Sequence, residues 1–129
     1  DYAHGTGHGV GHVLSVHEGP ISISKASDCL IEPGMVISNE PGYYKNGEYG
    51  IRIENLEVVK EKDDKRFLCF ENLTRVPLEL SLIDKRLLTT PEINWINNYH
   101  KKVYQDLSKL INKDDKELLL FLKIKTAAI

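Results

Sequence analysis

The sequence predicts an α+β fold, because strand patterns fill its first part and helical patterns its last part. Four glycines fall within residues 5–11, which would undermine any helix there. Short β-prone runs follow between residues 35 and 76, and the hydrophobic period becomes that of a helix after Thr89. Antiparallel strands followed by helices are typical of the α+β class.

Residues 1–20 are expected to be extended or looped, with histidine and glycine in alternation. In an extended chain, the side chains of His4, His8 and His12 lie on one face and the glycines on the other. Imidazole binds metal ions and transfers protons near neutral pH. His17 has the opposite parity, so it reaches the same face only across a bulge or turn. Spacing alone leaves open a mobile, histidine-rich surface loop instead of a site.

Three β-prone runs follow, at residues 35–39, 51–59 and 67–76. Asn46 and Gly47 lie between the first two runs and favour a tight hairpin turn. The middle of the chain is therefore predicted to form antiparallel strands.

Two acids, Glu40 and Glu54, lie beside or within these runs. A carboxylate buried on a strand is costly unless a cation or a donor compensates it. Arg52 shares the parity of Glu54, so a structural ion pair is one interpretation. A divalent cation is the other, because carboxylates and one imidazole suit manganese, zinc or cobalt.

The expected hairpin register does not bring these acids together. A two-residue turn pairs Glu40 with Ile53, and Glu54 then faces the opposite side of the sheet. The two carboxylates converge only if one extra residue is inserted. Pro41-Gly42 is a plausible place for it, because proline cannot donate to a ladder and glycine tolerates a bulge.

Two helices are expected at the end of the chain. Thr89 and Pro91, with an acid nearby, form a helix start, and an apolar stripe runs from Ile93 to Leu110. Asp114-Asp115 begins a second helix that continues through Leu122.

Three side chains of the first helix receive structural interpretations. Trp95 and Tyr99, four residues apart, are expected in the core or at a subunit contact. His100 stands among lysines and is interpreted as a solvated or capping histidine without a functional role. His12 is given no role either.

Composition bounds the remaining possibilities. A length of 129 residues allows one domain with a real core, and a net charge of −2 argues against a nucleic-acid or anionic-membrane partner. No apolar run reaches the roughly 18 residues of a membrane helix. Cys29 and Cys69 are expected as reduced, buried thiols in a cytosolic protein. Because the motifs begin abruptly at Asp1, we expect the chain to be the C-terminal piece of a longer protein.

Four motifs together resemble those of the Xaa-Pro aminopeptidases (aminopeptidase P), which belong to the "pita-bread" metallopeptidases. They are residues 4–11 (HGTGHGVG), 16–20 (VHEGP), 39–44 (NEPGYY) and 50–55 (GIRIEN), and the tail 95–100 (WINNYH) is similar to the C-terminal extension of the long aminopeptidase P branch. The resemblance implies the C-terminal part of a pita-bread fold, with residues 1–80 in the catalytic domain and 81–129 as a helical extension.

The resemblance also implies roles for individual residues. His8, Glu40 and Glu54 match metal ligands, with Glu54 bridging two ions that are commonly manganese, with zinc or cobalt as alternatives. His4 and His17 match the histidines that contact substrate, stabilise the tetrahedral intermediate and move protons. Arg52 matches a substrate-binding arginine that hydrogen-bonds near the bridging carboxylate.

One departure from the family pattern limits the chain by itself. The family uses two further aspartate ligands, and this sequence offers only Asp1 before His4. We therefore expect an incomplete metal centre and no activity from the isolated chain. The parent protein is expected to be a cytoplasmic homodimer that acts on peptides with proline in second position.

Three alternatives remain. A prolidase-like dipeptidase shares the same site logic, and a metal-free relative would hold peptides or proteins instead. In the third alternative, residues 89–129 serve mainly to form dimer contacts.

Overall fold

A computed structural model describes residues 1–13 and 15–129 of the chain. It divides into two compact units, Asp1–Thr74 and Arg75–Ile129. Leu14, within the segment expected to be extended or looped, lies outside the described residues. The first unit is built from β-strands and the second from helices, so the predicted α+β class is confirmed.

The described residues of the first unit form seven strands in two antiparallel sheets. They are β1 (Gly7–Gly9), β2 (Glu18–Ile23), β3 (Val36–Asn39), β4 (Gly42–Lys45), β5 (Tyr49–Arg52), β6 (Asn55–Glu61) and β7 (Leu68–Asn72). The larger sheet has the order β2-β1-β3-β6-β7, and β4 pairs with β5 in the smaller one. The central strands β3 and β6 carry the fully buried Ile37 and Val59.

The predicted strands are found with one interruption. The run expected at residues 51–59 is divided into β5 and β6, because the chain leaves the smaller sheet after Arg52 and enters the larger one at Asn55. The third run is shorter than expected and covers only Leu68–Asn72. Strands β1, β2 and β4 were not predicted as such, since glycine in all three, and proline in β2, lowers strand propensity.

The second unit contains two short 3-10 turns, Leu80–Leu82 and Lys85–Leu87, followed by α1 (Thr90–Leu107) and α2 (Lys116–Lys125). The expected start of α1 is confirmed. The backbone N–H of Thr89 donates to Glu92 Oε2 at 2.7 Å, and proline occupies the first turn. Helix α2 continues three residues beyond the predicted end at Leu122.

The core of the helical unit is formed by Tyr99, Val103 and Leu122, with half-buried apolar side chains packed around them. Tyr99 was expected in such a core. Trp95 stacks on its ring, with centroids 5.4 Å apart, and remains 47% exposed.

The interpretation of His100 as solvated or capping is wrong. Its side chain is completely buried, and Nε2 accepts a hydrogen bond from the backbone N–H of Leu78 at 2.9 Å. Burial is tolerated because both ring nitrogens have polar partners, Nε2 the Leu78 N–H and Nδ1 the carbonyl oxygen of Ala127 at 3.4 Å.

Two further expectations concern the thiols and the membrane. Cys29 and Cys69 are not joined in a disulfide and are half-buried, which is less burial than expected. Within the part of the chain that the structure describes, neither helix has the length and apolarity that spanning a bilayer requires.

Candidate active site

The β-ladders place four chemistry-bearing residues on one face of the first unit. Gly9 of β1 lies opposite Ile37 of β3, so His8 lies across from Ser38. Residues that oppose each other in an antiparallel ladder share a face, and so do residues two apart in a strand. His8 therefore faces the same side as Glu40, which follows Ser38 by two residues.

The same register rule brings Glu54 to this face. Asn39 pairs with Asn55 in the larger sheet, and Gly42 pairs with Arg52 in the smaller one. Both pairs belong to one continuous register, in which Glu40 lies opposite Glu54. Arg52 shares the face because it precedes Glu54 by two residues.

The expected pairing of Glu40 with Ile53 is therefore wrong by one residue. The cause is the turn, which contains three residues, Asn46, Gly47 and Glu48, between the paired Lys45 and Tyr49. Its N–H···O bond runs from Glu48 to Lys45 at 3.0 Å, and Gly47 has a φ of 73°. The additional residue needed for convergence is thus in the turn, and not at Pro41-Gly42.

Close polar contacts connect the four side chains in a row, and those of Arg52 are ion pairs. His8 Nε2 lies 3.2 Å from Glu40 Oε1, and Arg52 Nη1 lies 3.8 Å from Glu40 Oε2. Arg52 Nε lies 3.4 Å from Glu54 Oε2. His8 and Glu40 contact each other directly, whereas Glu54 is joined to them through Arg52. The side chains of His8 and Glu40 are more buried, at 20% and 12% exposed, than those of Arg52 and Glu54, at 48% and 40%.

The imidazole of His8 is oriented for ligation. Its Nδ1 lies 2.8 Å from the carbonyl oxygen of Gly9, which can only accept, so Nδ1 carries the hydrogen and donates. In the neutral ring the lone pair of Nε2 then points toward Glu40. A lone pair and a carboxylate oxygen 3.2 Å apart need a positive charge between them, either a proton on Nε2 or a bound cation. These donors fit a divalent metal ion.

Ser38 forms hydrogen bonds to both His8 and Glu40. Its hydroxyl accepts the backbone N–H of His8 at 3.0 Å and donates to Glu40 Oε1 at 2.9 Å. The residue is completely buried. Sequence reasoning gave Ser38 no role, although its position two residues before Glu40 is a usable signal.

His17 reaches the site as the parity argument required. The β1–β2 ladder shifts register between His8 and Gly9. Because of this irregularity, His17 lies on the same side as His8 although its position in the alternation is the opposite one. The rings of His8 and His17 lie 4.0 Å apart between centroids, at 34°. His17 remains exposed, so it is accessible from solvent while resting on the more buried imidazole.

His4 lies at the other end of the site, hydrogen-bonded to Tyr44. Its Nδ1 lies 2.7 Å from the Gly5 carbonyl, so Nδ1 donates, and Nε2 accepts the Tyr44 hydroxyl at 2.7 Å. The Tyr44 oxygen also accepts from Arg52, which raises the pKa of the guanidinium, with the negative charges of Glu54 and Glu40 as smaller causes. Tyr44 was not predicted to take part, although it has the parity of Glu40.

The remaining histidine of the segment and the number of grouped ligands limit the site. His12 is exposed, like His4 and His17, so its lack of a role stays a prediction. Across residues 1–13 and 15–129, no three His, Cys, Asp or Glu side chains are grouped closely enough to hold a metal ion by themselves. On the described face, His8 and Glu40 are the two potential ligands in direct contact.

Comparison with known proteins gives matches along nearly the whole chain. Residues 1–61 match metallopeptidase family M24, and residues 66–129 match the C-terminal region of peptidase M24. Probable Xaa-Pro aminopeptidases P from Coprinopsis cinerea and Fusarium vanettenii are each 49% identical over 138 residues, covering 100% of this chain and 22% of the relative. The chain thus spans about a fifth of the length of these curated relatives.

A solved structure agrees with these matches. The X-prolyl aminopeptidase of Caenorhabditis elegans is similar over 100% of this chain and 22% of its own, with a TM-score of 0.91 and 41% identity. That protein is described as a cytosolic enzyme with a di-nuclear active site.

Proposed function

Because the chain belongs to metallopeptidase family M24, we propose that it carries part of the active site of a metal-dependent aminopeptidase. The proposed reaction releases the N-terminal residue from peptides that have proline in second position. The observation that supports this most is the row His8–Glu40–Arg52–Glu54 on one face, in which two strand pairs converge on donors that suit a divalent cation.

In this proposal His8, Glu40 and Glu54 hold two divalent ions, manganese by preference and zinc or cobalt as alternatives. When bound, such ions lower the pKa of water and stabilise the oxyanion that develops on the attacked carbonyl. The Nδ1–H bond from His8 to Gly9 keeps the Nε2 lone pair available. The stack of His17 on His8 restrains the rotation of both rings.

His4, His17 and Arg52 are proposed to contact the peptide. His4 and His17 are exposed at the two ends of the site, where they can hydrogen-bond substrate and hold or move a proton near neutral pH. Arg52 is charged like any arginine, and Tyr44 and the two glutamates raise its pKa further. Its guanidinium keeps the carboxylates of Glu40 and Glu54 apart and oriented.

The rest of the centre is proposed to come from outside these 129 residues. The relatives are several times longer than this chain, which covers 22% of them, and the described residues supply too few ligands for a complete centre. We assign residues 1–80 to the catalytic domain and 81–129 to a helical extension. A cytoplasmic homodimer is the proposed assembly, with the cytosolic C. elegans enzyme as support for the compartment.

The test uses the native protein that carries this chain, loaded with Mn²⁺ and given two peptides that differ only in proline or alanine at the second position. Glu54→Ala should lower kcat/KM by at least about 100-fold, since metal centres contribute several kcal/mol to transition-state stabilisation. Glu61→Ala, an exposed glutamate at the end of β6, is the control and should leave turnover unchanged.

Three outcomes would contradict the proposal in different ways. Hydrolysis only of Xaa-Pro dipeptides would indicate a prolidase-like enzyme. Equal turnover of the proline and alanine peptides would show that the enzyme does not select proline in second position. Peptide binding without turnover and without retained metal would indicate a metal-free binding module.

A further inference from the structure

We infer that Ser38 is a positioning residue that sets the geometry of both proposed ligands of one metal ion, His8 and Glu40. The inference rests on the proposed function. It adds a residue outside the ligand set, whose single hydroxyl bonds both to His8 on β1 and to Glu40, just after the end of β3.

The hydrogen bonds of Ser38 form a closed ring with the two ligands. The N–H of His8 donates to Ser38 Oγ at 3.0 Å, and this hydroxyl donates to Glu40 Oε1 at 2.9 Å. Glu40 Oε1 in turn lies 3.2 Å from Nε2 of His8. A hydroxyl has one hydrogen to donate, so its direction is determined by the carboxylate it serves.

This arrangement fixes which oxygen of Glu40 faces the imidazole. Oε1 is held by the Ser38 hydroxyl, and Oε2 is left toward the Arg52 guanidinium. The bond from the His8 N–H ties β1 to β3 at the ligand itself, and so fixes the position of the His8 backbone relative to β3. Without the hydroxyl, both the backbone of one ligand and the side chain of the other lose a partner in a buried place, because Ser38 is 0% exposed.

Alternative explanations for a serine at this position are weaker. Strand interiors favour β-branched and aromatic residues, so a buried serine on the central strand β3 contributes little by packing. Threonine has a higher strand propensity than serine and keeps the hydroxyl, whereas alanine has nearly the size of serine but no hydroxyl. These two residues therefore separate hydrogen bonding from packing.

The experiment measures Mn²⁺ affinity by titration calorimetry on the native protein that carries this chain, after removal of bound metal. Ser38→Ala should weaken Mn²⁺ binding by about 10- to 100-fold, as is usual for residues that orient metal ligands. Most of the wild-type kcat should return at saturating Mn²⁺, because Ser38 touches no substrate. Ser38→Thr should retain the wild-type affinity.

Ser22→Ala is the matched control. Ser22 lies opposite His8 on β2, and its hydroxyl donates to the Gly7 carbonyl at 3.2 Å, with no bond to either proposed ligand. Its removal deletes a hydroxyl from the same ladder and should leave Mn²⁺ affinity unchanged. Thermal melting of every variant confirms that the comparison is made between folded proteins.

The outcomes separate this inference from the function on which it rests. Wild-type affinity in folded Ser38→Ala overturns the inference alone, as does an equal loss in Ser22→Ala. A folded Ser38→Thr variant that binds as weakly as Ser38→Ala overturns it as well. If the wild-type protein itself binds no Mn²⁺, the proposed function is overturned and the role of Ser38 with it.

Discussion

Glu40 uses its two carboxylate oxygens for different neighbours. Oε1 receives the Ser38 hydroxyl and faces the His8 imidazole, while Oε2 faces the Arg52 guanidinium. The side chain is 12% exposed, so few water molecules compete for either oxygen. A carboxylate held in this way keeps one orientation, which is what a metal ligand requires.

In the helical unit, Glu79 provides a prediction about acid stability. Hydrogen bonds from Lys125 and Ser81 lower the pKa of its carboxyl from 4.5 to about 2. Because the folded pKa is depressed, the stabilising contribution is present above about pH 4.5 and is lost as the pH falls toward 2. Nuclear magnetic resonance titration of the carboxyl should give this low midpoint, and Lys125→Met should raise it.

The corresponding control is Glu79→Gln. This variant should melt at a lower temperature than the wild type near neutral pH, and the difference should shrink as the pH approaches 2. A wild-type midpoint near 4.5, or a difference in melting temperature that does not change with pH, would contradict the assignment.

For single residues, the sequence predicted which side of a strand a side chain faces better than it predicted whether that side chain is buried. Alternation predicted that His4 and His8 share a face, and the shifted register that His17 needed is present. Ser38 and Tyr44 share the parity of Glu40, but they were assigned no role from the sequence. Their hydroxyl groups are neutral and occur at many positions, so they are a weaker sequence signal than a charged side chain. His100 was misplaced because its neighbours in sequence are exposed lysines, whereas its partners are Leu78 and Ala127.

At the level of strands, the glycines of β1 allow close approach of neighbouring backbones. A Cβ built on Gly7 would lie 1.9 Å from the carbonyl oxygen of Ser38, so β1 and β3 would have to separate. Gly7→Ala should therefore lower the free energy of unfolding by about 1–3 kcal/mol in urea denaturation. Because the displaced strand carries His8, Mn²⁺ binding by the native protein should weaken too.

Gly5→Ala is the matched substitution on the same segment. The nearest atom to a Cβ there is 3.8 Å away, an ordinary contact, so the stability should change by no more than about 0.5 kcal/mol. Equal losses in the two variants would show that glycine is needed for backbone freedom along the segment and not for the approach to Ser38.

The hairpin shows why element prediction from sequence stopped short. The positions of its strands and of the turn at Asn46-Gly47 were predictable from propensity. The turn length was not, because two and three residues are both common and the choice depends on how the flanking strands pair. That single residue decides whether Glu40 and Glu54 share a face.

At the scale of the whole molecule, the ligand count predicts that the 129-residue chain alone is inactive. The described residues contain no group of three potential ligands close enough to hold a metal, and two-ion chemistry needs a fuller set. Purified chain with Mn²⁺ and an Xaa-Pro peptide should give no turnover above a Glu54→Ala background. The native protein that carries the chain serves as the positive control, and measurable turnover by the isolated chain would contradict the prediction.

The continuous register through β3, β4, β5 and β6 has a consequence for how the site assembles. Glu40 and Glu54 are only 14 positions apart, so closing one short loop brings both carboxylates together at small entropic cost. His8 must instead find a strand 30 residues away. We expect the acidic half of the site to form early, on the timescale of an isolated hairpin, and the imidazole to dock onto it later.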